Sequence, residues 1–168
     1  MVPHRLLIGD LWCEASGGGR LVERAVAVGA ELLVGGRSVE GSGHFFEPTV
    51  LAGVQSDSEI AAEELFGPVV TLTSFRDEAQ AVRMANATDY GLASYVYTRD
   101  VARAQRMISA VDSGMTGINV SVISNAAAPF GGIKQSGMGR EGGPEGLQEY
   151  LDVKYAAFAN PIVSPGPA

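Results

Sequence analysis

Residues 69–120 decide the fold, and they read VVTLTSFRDEAQAVRMANATDYGLASYVYTRDVARAQRMISAVDSGMTGINV. Runs rich in β-branched and aromatic residues alternate in this stretch with segments whose apolar residues have helical spacing. The predicted strands cover 69–75, 92–97 and 115–120; one predicted helix covers 78–86, and a second follows Asp100 and is ended by Gly114. Strands separated by helices of this length pair in parallel through right-handed crossovers. The sequence therefore predicts an α/β fold with a parallel sheet and crossover helices.

Both predicted helices begin after a residue suited to capping. Asp77 precedes the first helix, and Gln80 stands three residues further on, as in a capping box. Asp100 precedes the second helix in the same way. The apolar face predicted for this second helix consists of Val101, Ala104, Met107, Ile108 and Val111.

Shorter elements are expected on either side of this stretch. On the N-terminal side they are a helix over 21–28, a strand over 31–34 that joins the sheet, and an extended segment over 45–51. On the C-terminal side they are a long ordered loop over 121–143, a short helix over 144–150 and a final strand over 152–159. The core of the predicted domain is therefore the central sheet, and the last strand extends away from it.

Composition excludes several classes of protein. The chain has 168 residues, 46% of them hydrophobic and 18% charged, which is enough for one globular domain with a core. A net charge of −7 without a basic stripe argues against nucleic-acid binding. No segment approaches the ~20 apolar residues of a membrane helix, and we expect a soluble cytoplasmic protein. Cys13 is the only cysteine, and His4 and His44 show no ligand spacing, so neither a disulfide nor a metal site is expected.

Two short motifs with glycine and proline are candidates for a binding site. In E-E-L-F-G-P, residues 63–68, a carboxylate could accept hydrogen bonds from a pair of ribose hydroxyls beside an aromatic ring, or the glutamates could cap a turn. In P-F-G-G-I-K, residues 129–134, the phenylalanine could line a pocket or serve packing alone. Residues 137–142 match G-x-G-x-x-G, but no apolar strand precedes them, which disfavours a dinucleotide-binding fingerprint.

Five motifs in this order resemble the aldehyde dehydrogenase superfamily. They are GHFFEPTVL at 43–51, EELFGPV at 63–69, NATDYGLASYVYTRD at 86–100, GINV at 117–120 and PFGGIKQSGMGREG at 129–142. Within the superfamily, VISN at 122–125 and EYLDVKY at 149–155 are most similar to the succinate-semialdehyde dehydrogenases. The resemblance divides the chain into a poorly matched start (1–20), part of a catalytic domain (21–142), an oligomerisation segment (143–160) and a flexible tail (161–168).

The resemblance implies oxidation of an aldehyde to the carboxylic acid with NAD or NADP as the cofactor. The aldehyde would be succinate semialdehyde or a related semialdehyde. On the cofactor side, the resemblance implies that Glu64 holds the nicotinamide ribose and that Phe66 contacts the nicotinamide. On the substrate side, it implies that Ser124 helps to bind the distal carboxylate and that Phe130 lines the aldehyde tunnel.

Partners and catalytic residues follow from the same resemblance. The last strand, from Asp152 to Ala159, is expected to pair with another subunit, in a homo-oligomer or with full-length subunits. The family's nucleophilic cysteine, general base and oxyanion asparagine have no counterpart in the matched motifs, and Cys13 does not match the nucleophile. We therefore expect no catalytic residue in this chain and no turnover from it alone. The alternative is a non-catalytic assembly module that associates with full-length subunits. A free-standing nucleotide-binding module is least favoured.

Overall fold

The computed structural model describes residues 5–8, 11–14 and 18–159 of the chain. The helices are α1 (Gly18–Ala27), α2 (Glu59–Ala62), α3 (Glu78–Asn86), α4 (Val101–Ala110) and α5 (Gly143–Gln148). The strands are β1 (Arg5–Ile8), β2 (Leu11–Glu14), β3 (Glu31–Val34), β4 (Thr49–Ala52), β5 (Val69–Leu72), β6 (Tyr90–Gly91), β7 (Ala93–Val96), β8 (Met115–Ile118) and β9 (Ile133–Lys134). Strands and helices alternate through most of this order, as the sequence predicts for an α/β fold.

A three-stranded sheet in the order β3-β4-β5 carries the main apolar core. The central strand β4 is antiparallel to β3 and parallel to β5. Alternate residues of β4 face inward, because Thr49 and Leu51 are buried while their neighbours are half-buried. The sheet, α1 and α2 together enclose the buried residues Leu21, Val22, Ala25, Ala30, Leu51, Val54 and Ile60. This packing fixes the position of the chain that leaves α2 and enters β5.

Strands β7 and β8 form a parallel pair, and helix α4 connects them. The start of α4 is capped by Asp100, whose carboxylate accepts hydrogen bonds from the amides of Ala102 and Arg103 at 2.9 and 3.1 Å. The Asp77 carboxylate likewise accepts from the Gln80 amide at 2.7 Å at the start of α3. The capping predictions for both helices are therefore confirmed.

The reciprocal bond of the predicted capping box differs from the expected one. The side-chain oxygen of Gln80 accepts a hydrogen bond from the amide of Arg76 at 2.9 Å, one residue before the cap. The same oxygen also accepts from Arg76 Nε at 3.3 Å. A glutamine side chain is long enough to reach past Asp77, so its oxygen accepts from the amide of Arg76 instead of the amide of Asp77.

The predicted parallel sheet is present only in part. Strand β5 pairs with β4 and β7 pairs with β8, and among the residues that the structure describes no ladder joins β5 to β7. A further antiparallel pair, β6 with β9, was not predicted. Alternation of apolar residues indicates which segments are extended, but it does not select their hydrogen-bonding partners. The fold is therefore α/β with mixed sheets instead of one continuous parallel sheet.

Fewer residues at the predicted apolar face of α4 are buried in the structure than the sequence predicts. Met107 and Val111 are buried, whereas Val101 is 73% exposed and Ile108 is 52% exposed. Met107 lies on the buried side of the helix and Val111 caps its C-terminal end, but Ile108 lies about 100° around the axis from Met107. The prediction was correct for Met107 and Val111 and wrong for Val101 and Ile108.

The C-terminal segment 151–159 follows α5 without an assigned strand or helix. All of these residues are exposed. The strand expected over 152–159 is thus not formed within the described part of a single chain, because a strand needs a partner for its N–H and C=O groups. Its pairing with another subunit stays a prediction, and the expected tail, 161–168, lies outside the described residues.

Candidate functional site

The segment 63–68 joins α2 to β5 and is anchored at both ends. Ile60 of α2 is 5% exposed, and Leu65 packs against the core of the β3-β4-β5 sheet. At the other end, the carbonyl of Pro68 accepts a hydrogen bond from the amide of Thr49 at 2.8 Å. These contacts hold a short irregular segment in a defined position on the surface.

Glu64 and Phe66 stand on either side of Leu65 in this segment. The backbone is already extended at Glu63, with φ −83° and ψ 142°, and successive side chains of an extended chain alternate in direction. Leu65 packs on the core, whereas the exposure of its two neighbours places them toward solvent. Glu64 is exposed and Phe66 is 96% exposed. An aromatic ring this exposed is available to stack on a flat ligand.

Glu64 and Phe66 share a cleft of about 390 Å³. The residues that line it are Gly19, Leu21, His44, Phe46, Glu63, Glu64, Leu65, Phe66, Gly67, Pro68 and Val69. Two carboxylates and two aromatic rings are the chemical groups that a hydroxyl-bearing ligand with a flat ring would need. The structure therefore brings together the two residues predicted for the cofactor side.

Phe130 begins the short connection 130–132 (the Phe130 turn), which an isolated antiparallel bridge ties to the following loop. Its amide donates to the Glu141 carbonyl and its carbonyl accepts from the Glu141 amide, both at 2.7 Å. Gly131 and Gly132 follow and are buried. A Cβ atom on Gly131 would collide with the carbonyl oxygen of Gly139, so the turn requires glycine there. Phe130 itself is half-buried.

A second cleft, of about 580 Å³, surrounds this turn. The residues that line it are Leu92, Phe130, Gly131, Gly132, Ser136, Gly137, Gly139, Arg140, Glu141, Gly142, Gly146, Glu149 and Tyr150. Sequence reasoning missed Arg140, Glu149 and Tyr150 as lining residues. A signal existed in G-M-G-R-E, where one arginine stands among glycines of a loop that must stay ordered.

Ser124 lies on the loop that leads to Phe130, and it is exposed. The loop turns immediately afterwards, because Asn125 accepts hydrogen bonds from the Ala127 amide at its side chain and from the Ala128 amide at its carbonyl. Gly143, at the start of α5, donates to the Ala126 carbonyl at 3.1 Å. The loop is thus fixed to the same region of the molecule as the Phe130 cleft.

The four predicted binding residues do not lie in a single pocket. Glu64 and Phe66 line one cleft, Phe130 lines another, and Ser124 is exposed near the second. The glycine-rich segment 137–142 follows the two-residue strand β9 and precedes the six-residue helix α5. Elements this short differ from the long strand and helix that flank a dinucleotide-binding loop.

Charged groups away from the clefts are used for structure. Glu78 accepts hydrogen bonds from Arg106 Nε at 2.7 Å and from Arg103 Nε at 3.2 Å, which joins α3 to α4. The bond from Arg106 lowers the pKa of Glu78 from 4.5 to about 2, while burial opposes the shift and the bond from Arg103 adds to it.

The described residues contain neither a metal-binding cluster nor a membrane-spanning helix. Within 18–159 and the two N-terminal strands, no group of three or more His, Cys, Asp or Glu side chains is arranged to hold a metal ion. In the same part of the chain, no helix has the length and hydrophobicity needed to cross a bilayer.

The match to a known family covers most of the chain. The model of the aldehyde dehydrogenase family matches residues 16–156. This chain belongs to the aldehyde dehydrogenase family. The resemblance found in the motifs is thereby confirmed. Glu64, Phe66, Ser124 and Phe130 all lie inside the matched range, whereas Cys13 lies before it.

Two similar proteins are named as semialdehyde dehydrogenases. The chain is 50% identical over 141 residues to the succinate-semialdehyde dehydrogenase of Paenarthrobacter nicotinovorans, covering 84% of the chain and 31% of that aldehyde dehydrogenase. It is 51% identical over 138 residues to the glutarate-semialdehyde dehydrogenase of Pseudomonas putida, covering 82% of the chain and 28% of that protein.

The fold agrees with a solved structure of the family. An NADP-dependent enzyme of E. coli superposes with a TM-score of 0.78 at 44% identity, covering 82% of the chain and 29% of the enzyme. The chain therefore spans less than a third of the length of each of these three proteins. Both clefts described above are lined by residues within 16–156, the range that the family model matches.

Proposed function

We propose that this chain forms the part of an NAD(P)-dependent semialdehyde dehydrogenase that contacts the nicotinamide end of the cofactor and the aldehyde substrate. The reaction is oxidation of succinate semialdehyde or a related semialdehyde to the dicarboxylic acid. The main support for the proposal is that Glu64 and Phe66 are exposed on an anchored segment. Both residues line a cleft of about 390 Å³.

The chemistry of this cleft fits the nicotinamide ribose. An ionised carboxylate accepts hydrogen bonds from two neighbouring hydroxyls, which assigns the ribose to Glu64. The ring of Phe66, 96% exposed, supplies a flat apolar surface for the nicotinamide. When bound, NAD(P) supplies the hydride acceptor. The name of the E. coli structure favours NADP as one candidate, and NAD remains the other.

The second cleft supplies the substrate side of the proposal. Phe130, half-buried on its turn, would line the passage for the aldehyde. The exposed hydroxyl of Ser124 would donate to the carboxylate at the far end of the substrate. Both curated relatives are named for aldehydes that carry a carboxylate at the opposite end, which supports this chemistry. Their substrates differ in chain length by one methylene.

We expect no turnover from the 168-residue chain by itself. Oxidation through a covalent intermediate requires a thiolate that attacks the aldehyde carbon, together with a base and an oxyanion hole. Cys13 is the only cysteine, and it lies before residue 16, where the family match begins. The proposal therefore assigns binding roles to this chain and no catalytic residue.

An assembly module is the second candidate, and one observation favours it. The segment 151–159 exposes apolar side chains: Leu151 at 60%, Val153 at 100%, Tyr155 at 88% and Phe158 at 92%. Exposed apolar residues in a segment without an assigned helix or strand suit pairing with the sheet of another subunit. Under this proposal, the segment from Asp152 to Ala159 joins homo-oligomers or full-length subunits.

The first experiment measures aldehyde-dependent reduction of NAD and NADP by the purified chain. The substrates are succinate semialdehyde, glutarate semialdehyde and a simple aliphatic aldehyde. We expect no reduction above background. Robust activity that is lost in Cys13→Ser would contradict the binding-only assignment and make Cys13 the nucleophile.

The second experiment tests Glu64 in a hybrid enzyme. The matched region of the Paenarthrobacter nicotinovorans enzyme is replaced by this chain, which is 50% identical to it. Glu64→Gln is expected to raise the KM for the cofactor about tenfold or more, because a charge-assisted hydrogen bond is lost. Glu63→Gln is the matched control, since it is exposed in the same cleft but is assigned no ribose contact. Equal effects of the two substitutions would reject the assignment of Glu64.

The same hybrid tests the substrate side. Ser124→Ala is expected to raise the KM for succinate semialdehyde about tenfold and to leave the KM for the aliphatic aldehyde unchanged, because only the former has a carboxylate to bind. Ser121→Ala, an exposed serine of the same loop, serves as the control. A hybrid that folds but oxidises neither semialdehyde would contradict the proposed function as a whole.

A further inference from the structure

The guanidinium of Arg140 contacts the main chain of two segments that line the second cleft. Its Nη1 atom donates to the carbonyl oxygen of Gly132 at 2.7 Å, of Gly139 at 2.9 Å and of Met138 at 3.1 Å. The bond to Gly132 crosses from the glycine-rich loop to the turn that carries Phe130. One side chain therefore adds a link between two segments that the backbone hydrogen bonds of Phe130 with Glu141 also join.

This arrangement concentrates three acceptors on one cationic group. Nη1 carries two hydrogens, so three carbonyls share two donors and at least one bond is bifurcated. Hydrogen bonds from an ionised donor are about twice as strong as neutral ones. Among the described residues, the ion pairs within 4.0 Å do not include Arg140, so its charge acts on carbonyl dipoles.

The turn fits closely around this side chain. A Cβ atom on Gly131 would lie 2.8 Å from Arg140 Cδ and 3.0 Å from Nη1. The backbone of Phe130 is fixed to Glu141, the residue after Arg140, by two hydrogen bonds of 2.7 Å. On the far side, the amide of Arg140 donates to the Glu149 carboxylate at 3.2 Å. The half-buried arginine thus lies between the turn and the end of α5.

We propose that Arg140 is a positioning residue that holds the turn of residues 130–132 and so sets the orientation of Phe130 in its cleft. The inference rests on the proposed function in one respect, since it treats this cleft as the aldehyde side of the site. Without the guanidinium, three carbonyls lose their donor and the turn relaxes away from the 138–140 loop. Phe130 then loses its fixed direction.

The test uses the full chain labelled with fluorinated phenylalanine, which places a fluorine NMR probe at each of the six phenylalanines. The Phe130 signal is the one lost in Phe130→Leu. Arg140→Ala is expected to move the Phe130 signal toward that of an unstructured peptide and to leave the others in place. Arg140→Lys is expected to restore the signal only in part, because lysine keeps the charge without the planar fork. Arg99→Ala, at an exposed arginine, is the control that should change nothing.

An unmoved Phe130 signal in folded Arg140→Ala would overturn the proposal. If Arg140→Ala unfolds the whole chain, Arg140→Lys decides the question. A displaced Phe130 signal in the folded lysine variant then supports the proposal, and a signal identical to that of the unsubstituted chain overturns it.

Kinetics of the hybrid enzyme separate this inference from the proposed function. Arg140→Ala is expected to lower kcat/KM for succinate semialdehyde about tenfold and to leave the KM of the cofactor unchanged, since misplacement near the substrate costs rate. If the Phe130 signal moves and the aldehyde kinetics do not, Arg140 holds the turn and the assignment of the cleft to the aldehyde fails. If the kinetics change without movement of the signal, the positioning role fails and the proposed function stands.

Discussion

The two halves of the described chain are held together by different forces. Residues 18–75 contain the apolar cluster between α1, α2 and the β3-β4-β5 sheet, with Leu51 at 0% exposure and Val22 at 2%. In residues 76–159, the buried apolar side chains larger than alanine among those described are Met107 and Val111, each 9% exposed. Residues 18–75 therefore contain an ordinary apolar core, whereas the described residues of 76–159 bury much less apolar side chain.

Directional hydrogen bonds replace burial in the second half. The side chain of Asn86 donates to the Ala110 carbonyl and accepts from the Asp112 amide, both at 2.8 Å, which joins the ends of α3 and α4. Lys134 Nζ donates to the carbonyls of Asn86 and Thr88 at 3.1 Å. Each of these bonds joins segments that are far apart in the chain.

This difference is important for the two clefts. Apolar burial is non-directional and tolerates adjustment, whereas hydrogen bonds fix both distance and angle. The Glu64 cleft is anchored by Leu65 on the apolar core, while the Phe130 cleft is anchored by Arg140 and its carbonyl partners. We expect the shape of the Glu64 cleft to depend on the stability of the apolar core. We expect the shape of the Phe130 cleft to depend on individual polar contacts.

The largest expected loss of stability comes from a substitution in the apolar core of residues 18–75. Leu51→Ala removes a fully buried side chain and leaves a cavity in the β4 layer, which should lower the free energy of unfolding by about 2–5 kcal/mol. Leu33→Ala is the matched control on neighbouring β3, where Leu33 is 52% exposed, and it should cost less than about 1 kcal/mol. Chemical denaturation of the two variants measures the difference, and equal losses would show that this core is not the main source of stability.

The apolar half also shows what a sequence can predict. Strand β3 was predicted with its observed bounds, because the two glycines that follow Val34 end it. The segment at 45–51 was expected to be extended, and β4 lies at Thr49–Ala52 within and just beyond it. Helix α2 was not predicted, since its four residues are too few to show a helical period.

In the polar half, local features were predictable and distant ones were not. Helix α3 was predicted with its observed bounds, because Asp77 marks its start and the signal lies in adjacent residues. The pairing of β6 with β9 joins Tyr90 to Lys134, and no local pattern specifies a partner so distant in sequence. Lys134 also adopts φ 56°, a conformation that sequence does not suggest for lysine.

The candidate site was also predictable only in its local features. Glu64, Phe66 and Phe130 were assigned from the resemblance of their motifs to the family, because the residues alone also allowed a purely structural role. Their distribution over two clefts could not be read from the sequence, since it depends on how the sheets are arranged. Arg140 was missed for a related reason, because all of its partners are main-chain carbonyls, which have no sequence signature.

An intermediate effect is expected from a single substitution in the polar half. Asn86→Ala leaves the Ala110 carbonyl and the Asp112 amide without their partner, which should lower the free energy of unfolding by about 1–3 kcal/mol. Gln105→Ala, at an exposed position of α4, is the control and should have little effect. Hydrogen exchange sharpens the comparison: the amides at the ends of α3 and α4 should lose protection while those of β4 keep it. Uniform loss across both halves would indicate that the chain responds as one unit.

The smallest expected effect is electrostatic and depends on pH. The hydrogen bond from Arg106 lowers the pKa of Glu78 from 4.5 to about 2, with a further contribution from Arg103. A carboxyl whose pKa is lower in the folded chain stabilises that state above the unfolded pKa, and the contribution is lost as pH falls through the folded value. The pair is partly exposed, with side-chain exposures of 53% for Arg106 and 31% for Glu78, so solvent and salt screen it.

Glu78→Gln should therefore lower the Tm slightly at neutral pH, and the difference from the unsubstituted chain should shrink from pH 4.5 downward and vanish near pH 2. Thermal unfolding across this range measures it, with Glu40→Gln, at an exposed position in the apolar half, as the control. Added salt should reduce the same difference at neutral pH. A difference that persists unchanged at pH 2 would show that Glu78 acts through packing between α3 and α4, and the polar half would then depend less on charge than its contacts indicate.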